Sequence, residues 1–272
     1  MQWTDVLASR NSRMKASEIR ELLKLLDQPD IISFAGGIPD PALFPAQDFA
    51  AAFQQAMAPE NASVALQYSV SEGYRPLREW LVGQMRAIGV ECGVDNIFIT
   101  SGSQQALDYL GKLLLSPGDT ALVTWPTYLG ALGAFNAYEP RYDRLDPYAN
   151  TDPATVRAEA AQAGGAVKFA YLSADFANPT GETLPLDGRL ALLDRAEALN
   201  IPVIEDGAYQ SLRFEGRPIP PILALDIERC GDIEKTSTIY CGSFSKTLAP
   251  GLRVGWVCAA TEVVGRLVLM KQ

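Results

Sequence analysis

Five apolar runs in this chain each end in an abrupt cluster of polar residues. Ile97 to Thr100 leads into Ser101-Gly102-Ser103-Gln104-Gln105, and Ala121 to Trp125 leads into Pro126-Thr127-Tyr128. Val167 to Leu172 is followed, a few residues on, by Asn178-Pro179-Thr180-Gly181. Ile201 to Ile204 leads into Glu205-Asp206-Gly207-Ala208-Tyr209, and Thr238 to Cys241 into Ser243-Phe244-Ser245-Lys246. A sixth run, Val254 to Ala259, follows a Pro250-Gly251 turn. Near-continuous apolar strands suit a sheet covered on both faces. Between them, Ser103 to Leu115 (Leu107, Leu110, Leu114) and Leu186 to Asn200 (Leu190, Leu193, Ala196) have helical spacing. Strand–helix alternation predicts a mostly parallel α/β sheet. The carboxyl ends of such strands share one edge, where ligands bind. The five polar clusters are therefore expected to converge on one site.

Composition narrows the chemistry. The 272 residues are 48% hydrophobic, enough for a substantial core. Lys and Arg number 23 against 32 Asp and Glu, a net charge of −9 that argues against nucleic acid or an anionic membrane as partner. The sequence contains no histidine, so it offers no His-based triad, His metal ligand or His general base. Acid–base work near neutral pH falls to lysine, tyrosine, carboxylates or a cofactor. No metal site is expected. No apolar run is long enough to span a bilayer, and the chain opens without the charged and apolar regions of a secretory signal. Cys92, Cys230, Cys241 and Cys258 show no Cys-x-x-Cys pairing and read as reduced thiols of a cytoplasmic protein.

Lys246 sits just past a buried strand, between Ser243, Ser245 and, beyond the Pro-Gly turn, Arg253. A lysine there is placed to form an imine with an aldehyde, and the serines and arginine are suited to hold an anion beside it. Aldehyde, phosphate and lysine together suggest pyridoxal 5'-phosphate (PLP). The same stretch also describes a solvated lysine in a surface turn. PLP needs an acid for its pyridine nitrogen, a flat side chain on its ring and a helix N-terminus for its phosphate. Asp206 follows Pro202-Val203-Ile204 and should be partly buried, where a carboxylate needs a cation or donors. A helix N-cap or a salt bridge would also satisfy it. Tyr128 could stack on a ring or belong to the core. Ser103 and Gln104 open a helix whose N-terminus favours phosphate, though Ser103 also reads as an N-cap. Asn178 starts a turn, and its amide, like Tyr209, could reach a ring hydroxyl.

These residues resemble those of fold type I PLP-dependent enzymes, specifically the class I/II aminotransferase family and its 2-aminoadipate and kynurenine group. The matching segments are Ile32 to Asp40, Gln67-Tyr68-Ser69, Glu72-Gly73-Tyr74, Ser101 to Gln105, Tyr128, Asn178 to Gly181, Asp206 to Tyr209, and Ser243 to Trp256. They run through nearly the whole chain in family order.

The resemblance implies a three-layer α/β/α large domain, residues 41–272, around a mostly parallel seven-stranded sheet. Residues 1–40 would be an N-terminal arm or part of a small domain. A short amphipathic helix is predicted over Ser17 to Leu26, and an irregular loop over Ile32 to Asp40. Lys246 would carry the cofactor and shuttle a proton, Asp206 would pair with the pyridine nitrogen, and Tyr128 would stack on the ring. Asn178 and Tyr209 would bind the ring hydroxyl. Ser103, Gln104, Ser243, Ser245 and Arg253 would hold the phosphate. Tyr68 would reach the phosphate of a partner subunit, implying a homodimer with shared sites. Gly37 and Arg20, together with Tyr68 and Asn178, would face the substrate; Arg20 also reads as a solvated helix charge. Ala177 stands where the family more often has Gln. The chain stops at Gln272, and family members run longer, into a C-terminal small domain with an arginine for the substrate carboxylate. The implied activity is transamination between an amino acid and a 2-oxo acid. A β-lyase of the same fold, a non-catalytic effector module and an inert fragment are the alternatives.

Overall fold

The computed structural model describes residues 1–14 and 37–272. Its centre is one seven-stranded sheet in the order β1-β7-β6-β5-β4-β2-β3. The strands are β1 (Ile97–Thr100), β2 (Thr120–Val123), β3 (Arg141–Arg144), β4 (Val167–Leu172), β5 (Val203–Asp206), β6 (Thr238–Ser243) and β7 (Gly255–Cys258). All pairings are parallel except those of β7, which runs antiparallel to both β1 and β6. Six strands therefore point the same way, and their carboxyl ends form one edge. β7 starts at that edge, which brings Arg253 to it.

Nine α-helices are found among the described residues: α1 (Ala46–Ala56), α2 (Pro59–Ala65), α3 (Arg75–Ala87), α4 (Ser103–Leu114), α5 (Leu129–Asn136), α6 (Pro153–Gln162), α7 (Leu186–Leu199), α8 (Ile222–Cys230) and α9 (Thr261–Lys271). Strand residues of alternate parity feed the two faces, as a pleated strand requires. On one face Phe98, Val123, Phe169, Tyr171, Ile204, Cys241 and Val257 pack against α4, α5 and α9. On the other, Leu122, Ala170, Leu172 and Val203 meet α6, α7 and α8, while Ile97, Tyr240 and Cys258 meet α3. The result is the expected three-layer arrangement.

The sheet has the seven strands that the resemblance implies, although only six apolar runs are legible in the sequence, and two other expectations, in α7 and at Ser103, need correction. β3 is Arg-Tyr-Asp-Arg at the sheet edge, with one neighbour and little buried surface, so it carries no apolar signal. In α7 the buried stripe is Arg189, Leu192, Leu193, Ala196 and Leu199; Leu190 faces outward at 39% exposure. Ser103 is the first residue of α4 rather than its cap. The cap is Gly102, with φ +77° and no capping side chain. The helix predicted over Ser17 to Leu26 lies outside the described residues, as does Ile32 to Gly36.

The segment before residue 15 touches the body near the start of β3. Ser9 bonds Glu139 (2.8 Å) and Arg13 donates to the Pro140 carbonyl (2.6 Å). Among the described residues, no helix is long and apolar enough to cross a membrane. All four cysteines are free.

Candidate active site

The last residue of β5 is Asp206, side by side with Cys241 of β6. Period-two alternation turns Asp206 toward the α4/α5 face, where Tyr171 of β4 lies. The Tyr171 hydroxyl donates to Asp206 Oδ2 (2.9 Å) and the Ala208 N–H to Oδ1 (3.2 Å). Asp206 is 4% exposed. Burial pushes its pKa up, and these two donors only partly oppose that rise. No cation among the described residues takes part. A buried carboxylate so placed favours a positively charged or N–H-bearing ligand.

Two further strand ends converge beside it. Tyr209 follows Asp206 through a short turn, and the Asn178 amide, beyond β4, donates to its hydroxyl at 3.4 Å. Lys246, just beyond β6, holds its Nζ 5.6 Å from the centre of the Tyr209 ring. Amine, phenol, amide and buried carboxylate thus come from three adjacent strands. Burial raises the Tyr209 pKa, with the Asn178 bond opposing, so the phenol is kept as a donor.

The anion-binding side is built at the start of α4. A Cβ on Gly102 would lie 2.6 Å from Arg253 Nη2, so the guanidinium rests directly on the helix cap. Arg253 itself is left-handed (φ +52°), and its bonds to the Pro250 and Ser101 carbonyls are long, 3.3 and 3.5 Å. A Cβ on Gly255 would meet the backbone of Gly102 and Ser103 at 2.7 Å, which is how β7 closes onto the helix start. A guanidinium beside the positive end of a helix is a repulsive pair, and an anion between them reconciles it. Ser243 and Ser245 lie on the neighbouring turn. Their hydroxyls bond each other at 2.9 Å, and the Ser245 N–H donates to Ser243 Oγ. Gln104 donates to the Gly130 carbonyl (2.7 Å), and the Tyr128 ring lies over Gly130, as a Cβ there would fall 2.3 Å from it. Tyr128 thereby stands at the α4 N-terminus. These groups fit a ligand with a phosphate, an aldehyde and a ring nitrogen.

A family model for aminotransferase class I and II matches residues 29–272. The chain belongs to that family. It is 40% identical over 264 residues to aromatic-amino-acid aminotransferase 1 of Thermococcus litoralis, covering 95% of this chain and 61% of the relative. It is 40% identical over 272 residues to 2-aminoadipate transaminase of Thermus thermophilus, covering 100% and 66%. The crystal structure of Pyrococcus horikoshii kynurenine aminotransferase, a complex with PMP, superposes with a TM-score of 0.85 at 39% identity. That match covers 99% of this chain and 66% of the other. The chain thus spans 61 to 66% of the length of these proteins.

In this aminotransferase-family chain, Asn178, Asp206, Tyr209 and Lys246 lie at the ends of three adjacent strands, and Arg253 lies against Gly102 at the start of α4. Gly37 and Tyr68 are exposed, Tyr68 at 99%, and no contact among the described residues ties either to the cluster. Arg20 lies outside the described residues. Tyr171 was not singled out from sequence, because it reads as one more apolar position of a buried strand. The sequence carries no signal for it, since the register that sets it beside β5 is a fact of the fold. A mostly apolar groove of about 750 Å³ lies elsewhere, lined by Ile88, Gln210, Ile219, Pro220 and Leu225. It holds none of these chemical groups, so convergence of polar groups rather than volume identifies the site.

Proposed function

We propose that the protein is a PLP-dependent aminotransferase, moving an amino group between an amino acid and a 2-oxo acid. The observation that carries this reading is the buried Asp206, which pairs with no cation among the described residues, next to the strand whose end bears Lys246. When bound, PLP supplies an electron-withdrawing ring that makes the substrate α-carbon acidic. Asp206, as an anion, would hold the proton on the pyridine nitrogen. The guanidinium of Arg253, the α4 N-terminus, Ser103, Gln104, Ser243 and Ser245 would hold the phosphate. Asn178 and Tyr209 would donate to the ring oxygen, and Tyr128 would cover the ring. The Lys246 amine would take the α-proton and return it to the carbon that began as the aldehyde. With no histidine in the sequence, lysine is the side chain suited to that transfer.

The relatives carry names for aromatic, 2-aminoadipate and kynurenine donors, which supports an amino acid with a long or planar side chain as substrate. Gly37 and Arg20 would face it. Tyr68 would serve the phosphate of a second copy in a homodimer. Residues 41–272 would form the large cofactor-binding domain, residues 1–40 an arm, and the protein would work in the cytoplasm.

The test is the absorption spectrum of the purified protein with PLP, before and after adding 2-aminoadipate or glutamate. A visible band that bleaches with amino acid, and is absent in Lys246→Ala, is expected. A stable band that ignores amino acids would favour a binding module over an enzyme. Retention of a lysine-linked band in Lys246→Ala would sink the assignment.

A further inference from the structure

A cluster of charged side chains lies behind the site, on the opposite face of the sheet edge. Arg189 of α7 is fully buried. It donates to Leu184 O (3.0 Å) and Ala174 O (3.2 Å), near the two ends of the β4–α7 loop. It also donates to Pro220 O (2.9 Å), at the end of the β5–α8 loop. Its guanidinium pairs with Asp175 (2.9 Å), which is 5% exposed. Asp175 in turn pairs with Arg213 of the β5–α8 loop (2.6 Å), and that guanidinium lies 4.7 Å over the Phe176 ring. Two arginines and one aspartate therefore tie the loop carrying Asn178 to the loop carrying Tyr209.

Burying Arg189 and Asp175, with Arg213 partly buried beside them, is costly, and an apolar cluster would fill the space at least as stably. What ions add is a fixed geometry: planar guanidinium forks accept few orientations. Asp175 lies three residues before Asn178, and Arg213 four after Tyr209. The one direct contact joining those two loops at the site, Asn178 to Tyr209, is long at 3.4 Å. Its geometry depends on how the loops are held.

We propose that Asp175, Arg189 and Arg213 are positioning residues, a clamp that sets Asn178 against Tyr209 and so tunes the two donors to the cofactor's ring oxygen. The inference rests on the PLP reading above. Donors to that oxygen stabilise its anionic form, so loosening them raises the proton affinity of the lysine-bound cofactor.

The experiment is a pH titration of the visible band of the PLP-loaded protein. Arg213→Met is the variant of choice, because Asp175 keeps Arg189 as partner and no buried charge is orphaned. The midpoint is expected to rise by about half a pH unit. Arg213→Lys, which retains a cation for Asp175, should restore most of it. Tyr209→Phe should raise the midpoint as well, and the double variant should shift by less than the sum. A midpoint equal to wild type in folded Arg213→Met, or strictly additive shifts, would overturn the clamp while leaving the cofactor reading intact. Should Arg213→Met fail to fold, Phe176→Leu removes the stacking face alone and carries the same test, with a raised midpoint for the clamp and an unchanged one against it. Absence of any band in wild type would overturn the cofactor reading, and this inference with it.

Discussion

At the scale of single residues, the site is shaped by what Gly102 lacks. Its left-handed backbone and missing Cβ let the Arg253 guanidinium rest on the first turn of α4. Gly102→Ala brings a methyl within 2.6 Å of Nη2, the movable end of a long side chain. Arg253 would swing away rather than the fold breaking, and the positive φ adds about 1 to 2 kcal/mol of strain. We expect PLP affinity to fall about tenfold, the loss of one charge-assisted contact worth roughly 1.4 kcal/mol, with unfolding still cooperative. Titration of cofactor uptake by absorbance measures it, and unchanged affinity would show that Arg253 is not a phosphate ligand. Gly255 differs, since the atoms a Cβ would meet are backbone. The same substitution there should prevent α4 from closing on β7. The sequence marks Gly102 only as part of a polar cluster and Gly255 only as part of an apolar run, because which atoms approach them is a tertiary fact.

At the scale of elements, β5 presents two acids to opposite faces. Asp206 points to the site, while Glu205 caps α8 by accepting from Ile222 N–H (2.9 Å) and Leu223 N–H (3.1 Å). Burial nevertheless pushes the Glu205 pKa up to about 7, against these donors and Arg189. A carboxyl that holds its proton more tightly folded than unfolded costs stability as pH rises from about 4.5 to about 7. The full penalty, about 3 kcal/mol, is present above that window and absent below it. Glu205→Gln lacks the titration, so its stability relative to wild type should improve across the window, after losing about 1 kcal/mol at the acid end to a weaker cap. Denaturant unfolding at pH 5 and pH 8 checks this; an equal difference at both would mean an ordinary Glu205. Elements of this kind were legible where an apolar period exists, as in β4, β6 and α7. β3 was not, having no apolar residue but Tyr142, and Arg189 was not, since an arginine inside a helical pattern reads as solvated. The converging acid, amide, phenol and lysine were legible because strand polarity alone sends them to one edge.

At the scale of the whole molecule, the question is what completes the site beyond one chain. Tyr68 is 99% exposed and its hydroxyl has no contact among the described residues, although its backbone N–H is fixed by Gln67 (2.8 Å). A tyrosine so exposed gains little from its own fold. Neighbouring in sequence, Leu66, Val70 and Tyr74 are also exposed, at 55 to 74%. If two copies associate about a two-fold axis, as proposed, each site takes Lys246 from one subunit and Tyr68 from the other. The contact is then reciprocal. This arrangement has a consequence that no monomer shares. Lys246→Ala and Tyr68→Ala chains, each impaired alone, should complement when refolded together, since a mixed dimer carries one site with both wild-type residues. Random pairing makes half the dimers mixed, each with one such site of two, so about a quarter of sites should recover. The readout is the amino-acid-dependent bleaching of the cofactor band in the mixture against each variant alone. No gain on mixing, with sedimentation showing exchange of subunits, would place Tyr68 in its own subunit's chemistry or in none.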